Sequence, residues 1–185
     1  GTRSVERLRG MFAFAVWDNR QRQLLLARDR LGIKPLYFTE HKDELVFASE
    51  LKSILQLPHI ERTLSWEAVR HLFTFMATSS NQSIVDGVRK LEPGHFAVLR
   101  EGHRLRTEQY WDVEFTPDET ATEEELVERL RQLLVDAIAA HQISDVPVGA
   151  FLRGGIDSSA VVGLMARTSS APVKTFSVGF REQGF

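Results

Sequence analysis

The chain has 185 residues, with 23 Lys and Arg against 25 Asp and Glu and a formal net charge of −2, so charge gives no reason to expect nucleic acid or an anionic membrane as a partner. Apolar residues make up 43% and charged residues 26%, enough to pack a core and too apolar for a disordered chain. Cysteine is absent, which excludes disulfides, thiolate metal sites and a cysteine nucleophile within these residues and suits a cytoplasmic location. No apolar run approaches the roughly 20 residues of a bilayer span, and the opening residues lack the apolar stretch of a signal peptide.

In chain order, the apolar residues 11–17 predict a strand buried on both faces. Asp18-Asn19-Arg20 supplies a turn, and residues 23–27 the return strand of a hairpin. Residues 35–38 and 45–48 predict a second antiparallel pair. A helix is predicted over 49–57, stopped by Pro58. Another runs from an N-cap at Ser65 through Met76, with Leu64 and Val69 as a hydrophobic staple. Glu92-Pro93-Gly94 turns into a strand over 95–99, and Glu101-Gly102 returns the chain over 105–111.

Residues 116–121 are polar and acidic and contain proline. They predict a linker between a domain at 1–115 and another at 122–185. Thr122 and Glu125 form a capping box for a helix that sets Leu126, Leu130, Leu133, Leu134, Ala137 and Ile138 on one face. Residues 148–152 predict a short buried strand, Gly154-Gly155 a turn, 158–167 a helix and 174–180 a second strand. That order is the βαβ unit of a parallel sheet.

The segment Leu152-Arg153-Gly154-Gly155-Ile156-Asp157-Ser158-Ser159 carries the most chemistry. Two glycines permit a tight turn and close approach of backbone. A helix N-terminus gathers partial positive charge and unpaired N–H groups, which favour phosphate. The spacing is neither a Walker A loop nor GxGxxG. From local chemistry alone, an anion cradle and a plain strand-to-helix turn both remain open. The six histidines show no metal-ligand spacing, and Glu123-Glu124-Glu125 suits the first turn of a solvated helix. Arg28-Asp29-Arg30 beside an apolar strand predicts a partly buried ion-pair network.

The run from Asp145-Val146-Pro147-Val148-Gly149 through Ser159 resembles the pyrophosphate loop of the asparagine synthetase family, a class of ATP pyrophosphatases. Upstream, Arg9-Gly10-Met11-Phe12, Arg28-Asp29-Arg30-Leu31-Gly32-Ile33-Lys34-Pro35-Leu36-Tyr37, Ala48-Ser49-Glu50 and Leu91-Glu92-Pro93-Gly94-His95 resemble, in order, a class II glutamine amidotransferase domain. The resemblance implies an α/β chain: an α+β first part, a portion of an αββα Ntn-hydrolase-like sandwich, then the start of a Rossmann-like parallel sheet. It implies ATP and Mg as cofactors. Gly154, Gly155, Asp157, Ser158 and Ser159 would hold phosphates, Leu152 the adenosine, Val178 the adenine pocket, and Asp157 the Mg. Arg153 stands where the family has serine and would either contact phosphate or fill the pocket.

The implied activity is glutamine-dependent asparagine synthesis, with glutamine, aspartate and ATP as substrates and an acyl-adenylate of aspartate as intermediate. Alternatives are an amidotransferase acting on another carboxylate, or a non-catalytic nucleotide-binding or scaffold module. The family's N-terminal cysteine nucleophile is not among these residues, so the chain reads as an internal piece with no glutaminase catalytic residue of its own. Self-association into a homo-oligomer is also expected, through exposed apolar sheet edges.

Overall fold

Residues 1–179 are described by the computed structural model, and the chain divides after Phe115 into two units. The first begins with a 3-10 helix, Thr2–Arg7. There follow β1 (Ala13–Asp18), β2 (Gln23–Arg28), β3 (Tyr37–His41), β4 (Glu44–Ala48), α1 (Leu51–Ile54), α2 (Trp66–Phe75), β5 (Arg89–Lys90), β6 (His95–Arg100) and β7 (Arg106–Gln109). All their pairings are antiparallel, in sheets ordered β1-β2-β6-β7 and β4-β3-β5.

The period of two along β2 decides where the cores lie. Leu26, opposite Ala97 of β6, faces the second sheet and packs with Leu36, Phe38 and Leu91. Leu25 and Ala27 point the other way and meet Val5 and Phe96. Beyond the second sheet, Ile54 of α1 packs with Ile60, Val85 and Val88. The layers are therefore short helix, sheet, sheet, short helix.

The apolar run at 11–17 is not buried on both faces. Among the described residues β1 is an edge strand paired only with β2, and Val16 and Trp17 are 50% and 47% exposed. Trp17 instead donates its indole N–H to Asn19 Oδ1 at 2.8 Å and lies under the Arg22 guanidinium. The helix expected over 49–57 is one turn long. Beyond α1 the chain tightens into bonds three residues apart, Leu57 N to Ile54 O and Ile60 N to Leu57 O. α2 starts as its sequence dictates, with Ser65 Oγ accepting from Ala68 N, and ends at Met76 in the left-handed region, φ 56°.

In the second unit α3 (Glu123–His141) opens with a complete capping box. Thr122 Oγ1 accepts from Glu125 N, and Glu125 Oε2 accepts from Thr122 N. Its apolar stripe is largely uncovered: Ile138 is buried, while Leu130 and Leu133 are each 56% exposed. β8 (Gly149–Phe151), α4 (Ile156–Thr168) and β9 (Lys174–Phe176) complete the unit. β8 and β9 pair in parallel, with Ala150 opposite Thr175. The buried strand expected at 148–152 is exposed, because among the described residues its sheet has only these two strands. Gly149 allows a close approach there: a Cβ would lie 2.7 Å from the Phe176 ring, which would have to shift. The strand expected over 174–180 ends at Phe176, and Phe180 lies outside the described residues.

Candidate functional site

The double-glycine loop leaves the carboxyl end of β8. Leu152 N donates to Phe176 O at 2.9 Å, which extends the parallel pairing by one step. Ser177 Oγ donates to Leu152 O at 2.6 Å and ties the two strand ends together. Ser177 was not legible as a functional position; its signal is register, since Phe151 pairs with Phe176 and the next two residues follow opposite one another.

Gly154 then takes a left-handed φ of 77°, which an L side chain adopts only with strain. A Cβ built on it meets nothing within 4 Å, and one on Gly155 meets only Ser158 Oγ at 3.8 Å. Immediate chain neighbours aside, Ser158 is the one close neighbour at these two Cβ positions among the described residues. Gly155 is the N-cap of α4 and offers no side-chain cap. The helix begins at Ile156, earlier than expected, and its first backbone bond runs from Ser159 N to Gly155 O at 3.0 Å.

The N–H groups of Ile156, Asp157 and Ser158 precede that bond and have no partner among the described residues. Ser158 Oγ donates back to Gly155 O at 3.1 Å, so its lone pairs, not its proton, are available to a donor. Asp157 and Arg153 are exposed. Val178 is exposed and sits two residues past β9 rather than within a strand. The fold thus brings Leu152, Gly154, Gly155, Asp157, Ser158 and Ser159 together by chain continuity, with Ser177 fastened to them. It leaves Val178 outside the sheet.

In the first unit the cluster after β2 is a buried backbone staple and not an ion-pair network. Arg28 donates Nε to Lys34 O at 2.8 Å and its two terminal nitrogens to Leu91 O at 2.6 Å and Gly32 O at 2.7 Å. The Asp29 carboxylate accepts from Phe12 N at 3.3 Å and from Ile33 N and Lys34 N at 2.9 Å each. Neither side chain forms a salt bridge among the described residues. Carbonyls satisfy the guanidinium and amides the carboxylate, which a buried pair needs when it does not meet face to face. Burial lowers the Arg28 pKa from its usual value, opposed by the nearby Asp29.

Gly94 closes this staple. Its N–H donates to Asp29 O, and its carbonyl accepts from Tyr110 and Trp111 N–H. With φ at 66°, a Cβ there would stand 2.4 Å from Trp111 O. The turn after β2, the Glu92-Pro93-Gly94 turn and the end of the unit are joined at one point.

Residues 1–111 match the family model described as a glutamine amidotransferase domain. This chain belongs to that family. The match covers every element of the stapled amidotransferase unit, from the 3-10 helix to β7, and residues 129–185 match the model described as asparagine synthase. Among curated relatives, asparagine synthetase [glutamine-hydrolyzing] 1 of Bacillus subtilis is 39% identical over 98% of this chain and 28% of its own length. Asparagine synthetase [glutamine-hydrolyzing] 3 of the same organism is 35% identical over 96% of this chain and 30% of its own length. Amidase chry2 of Gibberella zeae is 39% identical over 90% and 25%. The chain therefore spans less than a third of the length of these relatives. Among the described residues no helix is long and apolar enough to cross a membrane, and no three His, Cys, Asp or Glu side chains are grouped to hold a metal.

Proposed function

We propose that this chain is part of a glutamine-dependent asparagine synthetase, in which ammonia released from glutamine amidates aspartate at the expense of ATP. In this reading residues 1–115 are a portion of the glutaminase domain, 116–121 a linker and 122–185 a portion of the ATP pyrophosphatase domain. The protein acts in the cytoplasm. The observation that carries the reading is the open loop at 154–159, set in a segment that matches the asparagine synthase model. Three N–H groups without a partner among the described residues, at a helix N-terminus behind two glycines, suit a pyrophosphate.

Gly154, Gly155, Asp157, Ser158 and Ser159 hold the phosphates, Leu152 meets the adenosine and Val178 borders the adenine. The exposed Asp157 carboxylate fits Mg, a hard cation that takes carboxylate and phosphate oxygens; the ion would screen phosphate charge as the substrate carboxylate bonds the α-phosphorus and pyrophosphate leaves. Arg153 is exposed, and its guanidinium fork matches phosphate oxygens, so it contacts the phosphates. The Amidase relatives at 36–39% identity support a second reading, amidation of a different carboxylate.

Calorimetry with Mg-ATP on this chain and on Arg153→Ser tests the site. Binding by the chain, weakened about fivefold or more on losing the guanidinium, is the expected result. Binding gained only with serine means that arginine disables the loop, and no binding by either points to a non-catalytic scaffold.

A further inference from the structure

A different cavity, in the unit Gly1–Phe115, has a built-in charge. It has a volume of about 440 Å³ and opens beside β6 and β7. Its lining includes Arg100, His103, Arg104 and Arg106 together with the apolar Phe96 and Val98. Arg100 is preset: its Nε donates at 2.8 Å to Oε1 of Gln23, a side chain only 7% exposed. Glu108, the one carboxylate in the lining, stands 3.3 Å from Arg106. The neighbouring Glu101 is engaged by Arg22 at 2.8 Å.

Three guanidiniums against one carboxylate leave a local excess of positive charge on a chain whose net charge is −2. A guanidinium fork matches phosphate oxygens two at a time. Apolar side chains in the same lining suit an organic body attached to the anion, and the volume is that of a small-molecule site. We propose that this cavity binds a phosphate monoester, with the phosphate on Arg100, Arg104 and Arg106 and the organic moiety over Phe96 and Val98. Neither the cavity nor its residues belong to the loop at 152–159, so the proposal stands apart from the ATP reading.

The test is calorimetry on the intact chain with AMP, adenosine and inorganic phosphate, together with amide chemical shifts. AMP should bind saturably with Kd at or below about 1 mM, shifting the amides of residues 96–106. Inorganic phosphate should bind at least about fivefold more weakly, and adenosine not detectably. Arg104→Gln with Arg106→Gln, both exposed positions, should weaken AMP at least about tenfold while circular dichroism stays unchanged. Binding that survives the double substitution, shifts confined to residues 152–159, equal affinity for adenosine, or phosphate as tight as AMP each overturns the proposal.

Discussion

Asp29 illustrates how one buried side chain can organise a turn. Its carboxylate receives three backbone N–H groups while the residue itself is 1% exposed. In Asp29→Asn one oxygen becomes an amide that confronts donors with a donor. The expected loss is about 3 kcal/mol, read as a lower urea midpoint with unchanged slope. Tyr110 provides a pH signature. Its hydroxyl donates to Arg28 O at 2.7 Å, and burial, reinforced by Asp29, raises its pKa above the ordinary 10.0. The folded state holds that proton longer than the unfolded chain. Its contribution is complete below pH 10 and fades as pH rises through the elevated value. Tyr110→Phe should flatten the alkaline limb of a stability-versus-pH curve; an unaltered limb would show that another group sets it. At this scale the sequence was least legible. Alternating signs in Arg28-Asp29-Arg30 suggested mutual pairing, but the Leu91 carbonyl that Arg28 reaches comes from far along the chain, and no local pattern announces it.

Elements were easier to read where their signals are local. Ser65 and Ala68, or Thr122 and Glu125, lie three residues apart, so the cap geometry follows from neighbouring residues alone. The hairpin of β1 and β2 followed in the same way, from two apolar runs around Asp18-Asn19-Arg20. What covers an element was not legible, because burial depends on partners distant in sequence. The apolar run of β1 was expected to be buried on both faces, yet it is substantially exposed, and so is the one-sided stripe on α3. The N-terminus of α4 lies earlier than expected: Gly155, in extended conformation, is the N-cap, so Ile156 and Asp157 join the helix. Thr122→Ala removes one half of the capping box on α3 and should cost the second unit about 1 kcal/mol. Thermal melting followed by circular dichroism at 222 nm measures it, and an unchanged midpoint would mean that the cap is redundant with the rest of that unit.

On the scale of the whole molecule, the two units differ in how much apolar surface they have managed to hide. The first sandwiches Leu26, Leu36, Phe38 and Leu91 between sheets. The second has Ile138 and Met165 as its buried apolar side chains among the described residues, with Phe151 68% and Ile156 87% exposed. Surface of that kind favours self-association. Light scattering should report a mass that climbs with concentration, and 0.5 M arginine should lower it again; a constant monomer mass across roughly a hundredfold range in concentration would contradict this.

The order β1-β2-β6-β7 also has a consequence in time. β2 meets its first neighbour almost at once, since β1 immediately precedes it, but its second neighbour is supplied only by residues 95–100. During synthesis the early hairpin must wait with one edge unsatisfied while α1, α2 and the second sheet are still emerging. Closure of the central sheet is therefore a late, long-range event, and the unit should fold more slowly than a helical chain of equal length. That interval of waiting is when a chaperone, or a second nascent copy, would find the open edge.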